Sequence, residues 1–191
     1  LKRACKYHII LASKSPRRKE LLSQLGYAFE QKSKDVDESF PSGLNVEQIA
    51  EYLSKKKANA FKTELEDGEL LITSDTTVCL GNQILEKAAN PEEAKRMLQM
   101  LSGKSHLVIT GVCLTSKIKQ HSFSVITKVF FENLKESDID FYIKNYHPFD
   151  KAGAYGIQEW IGFIGVDRIE GSYTNVVGLP LKELNQAIET F

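Results

Sequence analysis

The sequence predicts an α/β protein whose sheet is mixed, curved and partly antiparallel, with helices on its faces. Three observations carry that reading. Short apolar runs of strand length alternate with segments of helical periodicity. Two long runs, His106 to Thr115 and Ser122 to Phe131, are rich in β-branched and aromatic residues and pair naturally as antiparallel strands. A shorter pair, Thr77 to Leu80 and Gln83 to Leu85, flanks Gly81-Asn82 in the manner of a hairpin.

Taken in order, Tyr7-His8-Ile9-Ile10 is the first strand and Lys19 to Leu25 an amphipathic helix. Between them lies Leu11-Ala-Ser-Lys-Ser-Pro-Arg-Arg18. Ser15 is a good N-cap and Pro16 suits the first helical position, so the segment serves as a plain helix start. It serves equally as an anion site. A helix N-terminus offers orphan N–H donors and a positive dipole end, and Arg17 and Arg18 add planar forks matched to phosphate oxygens. Ser33 to Gly43 is polar and loop-like. Asn45 with Gln48 has the capping-box pattern and opens a helix expected to run through Phe61. Glu69 to Thr73 is a short buried strand, with Ser74-Asp75-Thr76 expected at its C-terminal end. Asn90-Pro91 starts a helix that Gly103 stops after Leu101. Ser137 to Asp140 is expected to cap a helix reaching about Asn145. Glu159 to Val166 is expected to be a further strand, and Pro180 starts the last helix.

At 191 residues the chain can bury a full core, as one large domain or as two small lobes. Apolar content of 42% and charged content of 26% are ordinary for a globular protein. The 25 basic and 25 acidic residues cancel. That balance argues against a nucleic-acid binder working through a broad basic surface, but leaves room for a locally basic pocket. No apolar run spans a bilayer and no signal-peptide pattern is visible, so no membrane association is expected. Cys5, Cys79 and Cys113 match neither a disulfide framework nor a zinc spacing. Cys79 and Cys113 are expected in the core, and a reducing cytoplasm fits best.

Several residues have the chemistry of a site. Asp75 follows an apolar strand and would face the rim where α/β ligand sites gather, or simply cap a turn. Glu38 lies in an acidic loop, and with Asp75 it would offer oxygen ligands to a hard divalent ion. Lys55, Lys56 and Lys57 cannot share one helix face, so at most one or two of them point to a site, and Lys55 and Lys56 are read as solvated. Lys87 is either a phosphate ligand or a surface lysine. The segment Asp150-Lys-Ala-Gly-Ala-Tyr-Gly-Ile-Gln158 is rich in small residues that let backbone approach a ligand. The Gln158 amide could read a base edge by donor and acceptor together. The competing reading is a packed turn in which Lys151 makes a salt bridge. His106 and Thr110 suit strand packing better than ligand roles. No nucleophile elbow, Gly-x-Gly-x-x-Gly or Gly-Lys-Ser/Thr phosphate loop occurs.

In order along the chain, Ser13-Lys-Ser-Pro-Arg-Arg18, Val36-Asp-Glu-Ser39, Lys57-Ala58, Ser74-Asp-Thr76 and Lys87 resemble the Maf family of nucleoside triphosphate pyrophosphatases. The resemblance continues through Leu101-Ser-Gly103, His106, Thr110-Gly-Val112, Asp150 to Gln158, Gly171-Ser-Tyr and Asn175-Val-Val-Gly-Leu-Pro180. It covers the chain from about Ile9 to the final helix. It implies one Maf-like domain over residues 1–191, with two lobes around a cleft, similar to inosine triphosphate pyrophosphatases. It implies a cytoplasmic enzyme, often a homodimer, that uses Mg2+ or Mn2+ to cut a nucleoside triphosphate between its α and β phosphates. In that scheme Asp75 is the general base and, with Glu38, a metal ligand. Ser15, Arg18, Lys57 and Lys87 hold the triphosphate. Arg17, Thr76 and Gln158 stand where the family's subgroups differ, and their combination looks like the dTTP and UTP subgroup. The 7-methyl-GTP subgroup has Trp where Arg17 stands. Here Lys87 precedes Ala88, where the family usually has Pro. The alternatives are the same reaction on modified pyrimidine nucleotides or 7-methyl-GTP, or a nucleotide-binding regulator of cell division.

Overall fold

Ile9, Ile10 and Leu11 are each no more than 1% exposed, the unbroken burial of a strand covered on both faces. They form β1 (His8–Ala12) in a computed structural model that describes residues 3–191. β1 pairs in parallel with β2 (Phe29–Lys32) and with β3 (Glu69–Leu80), setting Ile9 against Phe29 and Leu70. β4 (Gln83–Leu85) folds back antiparallel on β3. Beyond β3 lie β5 (Ser105–Thr115), β6 (Gln120–Phe131) and β7 (Val166–Glu170), and β7 is antiparallel to β6. Among the described residues the sheet has seven strands, in the order β2-β1-β3-β5-β6-β7 with β4 on β3. The mixture of parallel and antiparallel pairing agrees with the sequence.

Seven α-helices are described: α1 (Pro16–Gln24), α2 (Val46–Asn59), α3 (Pro91–Leu101), α4 (Glu136–Tyr146), α5 (Trp160–Gly165), α6 (Tyr173–Val177) and α7 (Leu181–Thr190). Their starts follow capping chemistry. Ser15 Oγ accepts the Arg18 N–H at 3.4 Å, and Asn90 Oδ1 accepts the Glu93 N–H at 2.8 Å. Gln48 Oε1 reaches back to the Asn45 N–H at 3.1 Å. None of the helices among the described residues is long and apolar enough to cross a membrane.

The chain divides by contact into two compact units. One comprises the residues up to Asp75, with Thr110–Val125 and Gly178–Phe191. Its apolar cluster joins Ile10, Ala12, Leu71 and Cys113 from the strands to Ala58, Phe61 and Leu65. This seats the C-terminal end of α2 on the sheet. The other unit comprises Thr76–Ile109 and Ile126–Val177. There α3, α4 and α5 contribute Leu98, Tyr142 and Ile161 to a core with Val108, Val129 and Phe131. Cys79 and Cys113 are fully buried, as expected.

Four boundaries differ from expectation. β3 does not stop at Thr73. No Gly or Pro interrupts 73–80, and β-branched Thr76, Thr77 and Val78 keep the chain extended, so Asp75 lies within a twelve-residue strand. α2 ends at Asn59, and a 3-10 turn at Lys62–Glu64 follows Phe61. α4 has Lys135 at its cap without a side-chain bond, which places Ser137 inside the first turn. The run Glu159 to Val166 is mostly helix, with strand beginning only at Val166. The Glu159 carbonyl accepts the Gly162 and Phe163 N–H groups at 2.9 and 3.2 Å. Ile161, Gly162 and Gly165 are buried while Phe163 is 74% exposed, a helical spacing. The edge strand β2 went unpredicted because Phe29-Glu-Gln-Lys32 carries no apolar alternation.

Candidate active site

The end of α2 and the middle of β3 deliver the charged centre. Buried Leu53 and Ala58 set the rotation of α2 against the core. Lys57, one turn beyond Leu53, is thereby turned inward and its side chain is only 17% exposed. Its Nζ lies 2.6 Å from Asp75 Oδ1 and 2.7 Å from Glu38 Oε1. Asp75 is itself 13% exposed. One ammonium lies between the two carboxylates, and the Arg18 guanidinium interacts electrostatically with both, so the charges at this centre are compensated. Lys55 turns away and pairs with Glu51 at 2.7 Å.

Lys56, expected to be solvated, has a structural task instead. Its Nζ meets Asp37 Oδ2 at 2.9 Å and the Ser39 carbonyl at 2.8 Å, stapling the loop that carries Glu38. Asp37 also accepts the Ser39 hydroxyl and, at 3.0 Å, the Ser39 N–H. The Ser39 hydroxyl first, and Lys56 second, hold the Asp37 carboxyl below the usual carboxylate range. The Asp-x-Ser spacing was the available signal for this turn.

Arg18 braces the same region. Its Nη1 donates to the Ser74 carbonyl at 2.8 Å and its Nε to the Gly178 carbonyl at 2.9 Å. Burial lowers its pKa from the ordinary value, and the nearby Asp75 charge opposes that shift. The guanidinium thus ties the start of α1 to the residue just before Asp75. Sequence reasoning missed this backbone role, which depends on a carbonyl 56 residues away. Ser15 spends its hydroxyl on the α1 cap, and Arg17 is half-buried in the first turn.

The remaining candidates belong to the second unit. Thr76 is half-buried on β3. Lys87, exposed just after β4, forms an isolated bridge with Ala152, and the Gly153 N–H reaches the Leu85 carbonyl at 3.0 Å. These bonds join Lys87 to the segment that ends in half-buried Gln158. Lys151 makes the salt bridges of the packed-turn reading, to Asp150 at 2.7 Å and to Glu159 at 3.0 Å. His106 is a core residue whose Nε2 lies 2.7 Å from the Tyr155 hydroxyl. The structure therefore brings Glu38, Lys57 and Asp75 into direct contact, and separately joins Lys87 to the strip before Gln158.

No group of three or more His, Cys, Asp or Glu side chains suited to a metal occurs among the described residues. Glu38 and Asp75 nevertheless converge on one point, and both are hard oxygen donors. That pair fits an ion of the Mg2+ type, which is commonly held by one or two carboxylates and completes its shell with phosphate oxygens and water.

The family model described as Maf-like protein matches residues 8–191. The chain is 53% identical to the dTTP/UTP pyrophosphatase of Phocaeicola vulgatus, over 94% of this chain and 93% of that protein. It is 48% identical to the dTTP/UTP pyrophosphatase of Porphyromonas gingivalis, over 97% of this chain and 95% of that protein. Among solved structures, the Ham1 protein of Staphylococcus aureus is a distant likeness, 16% identical with a TM-score of 0.46 over 96% of this chain and 98% of that one.

Proposed function

The chain belongs to the Maf family, and from that membership we propose that it hydrolyses dTTP and UTP to the nucleoside monophosphate and pyrophosphate. The observation that carries the chemistry is Lys57 Nζ held between Asp75 and Glu38. A triphosphate repels an attacking water, so catalysis needs charge compensation and in-line positioning. Incoming phosphate oxygens compete with the carboxylates for the Lys57 ammonium. Asp75, released from that contact, orients a water and takes its proton as the water attacks the α phosphorus. Glu38 and Asp75 would hold Mg2+ or Mn2+, which supplies charge neutralisation at the phosphate oxygens when bound. Arg18 keeps β3 in place beside Asp75, and Ser15, Arg18 and Lys87 are assigned to the triphosphate. Arg17, Thr76 and Gln158 select the pyrimidine base. Three cysteines, two of them buried, suit a reducing cytoplasm.

The test is a panel of dTTP, UTP, CTP, purine triphosphates and 7-methyl-GTP, with Mg2+ or Mn2+ and detection of released pyrophosphate. Turnover greatest on dTTP and UTP is expected. Asp75→Asn keeps the shape and removes the base, and turnover should fall by about 10²–10⁴-fold. Near wild-type turnover in that variant would remove Asp75 from the mechanism.

A further inference from the structure

Gln158 closes a segment that is held more firmly than a surface turn requires. Gly153 and Ala154 are consecutive left-handed residues, with φ of 69° and 56°. Glycine adopts that conformation freely. Alanine is strained there, and such strain persists where the surroundings over-determine it. The surroundings are a buried polar brace. Tyr142 on α4 is fully buried; its hydroxyl donates to Glu159 Oε2 and accepts the Gly156 N–H at 3.0 Å. The other carboxylate oxygen of Glu159 lies 3.0 Å from Lys151 Nζ. The Glu159 N–H returns to the Gly156 carbonyl, also at 3.0 Å. Gly156 has no space for a side chain, since a Cβ there would lie 2.8 Å from the Glu159 carboxyl carbon. Both ends of the strip and its middle are thus tied to one helix. Burying an ion pair contributes little net stability, because desolvation offsets the attraction. The position it imposes explains the brace better.

We infer that Tyr142, Glu159 and Lys151 are positioning residues that aim the Gln158 amide and so set which base the enzyme accepts. The inference rests on the proposed role of Gln158 in reading the pyrimidine. An amide reads a base edge only when donor and acceptor are both in register, and a misplacement of about 1 Å can cost 10²-fold. Asp75, Lys57 and Glu38 are not part of the brace, so loosening it impairs base discrimination before it impairs phosphate chemistry.

The test compares Tyr142→Phe, which removes only the hydroxyl, and Glu159→Gln, which keeps the shape but removes the charge. kcat and KM are measured for UTP, dTTP and CTP with Mg2+, alongside melting temperature. Tyr142→Phe should raise KM for UTP and dTTP about tenfold, lower the preference for UTP over CTP by a similar factor, and leave kcat near wild type. Adding Gln158→Ala to Tyr142→Phe should cost little more than Gln158→Ala alone. A wild-type UTP-to-CTP ratio in Tyr142→Phe, or two independent multiplying effects, overturns the inference. If Tyr142→Phe does not fold, Glu159→Gln is judged by the same two criteria. A wild-type protein inactive on UTP and dTTP overturns the activity and this inference together. An active wild type with unaltered variant ratios overturns this inference alone.

Discussion

His106 carries a pH dependence that follows from its burial. The imidazole is packed against Phe131 and Tyr155, and its Nδ1 has no hydrogen-bond partner among the described residues. Burial pushes its pKa down to about 4 from an ordinary 6.5. Above pH 6.5 the ring is neutral in both folded and unfolded chains, and it adds no pH dependence to stability. As pH falls from 6.5 towards 4, the unfolded chain takes up a proton that the folded chain refuses. Stability is therefore lost across that window, by about 3 kcal/mol once pH is below 4. Urea unfolding at pH 7 and pH 4.5 should show most of this loss in the wild type and much less of it in His106→Gln. An equal loss in both proteins would assign the acid sensitivity to other groups. At this scale the site was partly legible. Helical geometry showed that Lys55, Lys56 and Lys57 face different ways, and the family resemblance singled out Lys57. The contacts of Arg18 and Lys56 were not, because each depends on a partner brought near only by the fold.

Elements were legible where capping and periodicity agreed, and obscure where a short apolar run fits two structures. Ser15-Pro16 and Asn90-Pro91 marked helix starts because their side chains satisfy N–H groups that a helix leaves open. Glu159 to Val166 carries seven apolar residues and glycines in a row, Trp160 to Val166, which strand and helix accommodate alike, and only packing decided for the helix. Packing also explains Gly111 on β5, inside Thr110-Gly-Val112. A Cβ at this position would lie 2.2 Å from the Ala50 carbonyl oxygen and 2.4 Å from the Glu51 nitrogen. Both are backbone atoms of α2, the helix that carries Lys57, so the contact cannot be relieved by a rotamer change. Gly111→Ala should destabilise by about 3 kcal/mol or more, as an overpacked core does. Its urea midpoint should fall well below that of the wild type. A change under about 0.5 kcal/mol would mean that α2 moves more easily than its packing suggests.

At the scale of the molecule, zero net charge and the absence of a broad basic surface pattern left a small, locally charged site as the place for an anionic ligand. The sequence could not reveal that the carboxylates of that site are already held by a lysine of the chain. On the proposed function, nucleotide phosphates compete with these carboxylates for Lys57, and turnover is what separates an enzyme from a protein that only binds. Asp75→Asn should still bind dTTP through the cationic side chains and consume it about 10²–10⁴-fold more slowly. Ligand bound to the folded state alone stabilises by about 2.7 kcal/mol at 100 times its Kd, which for a chain of this size is a rise of roughly 5–10 °C in melting temperature. Comparing the variant with and without nucleotide cancels any effect of the substitution itself. The rise should persist through prolonged incubation in the variant. In the wild type it should decay as pyrophosphate accumulates, and EDTA should preserve the nucleotide by stopping turnover. A wild type that stays stabilised with its dTTP intact in the presence of Mg2+ would instead describe a nucleotide-binding regulator.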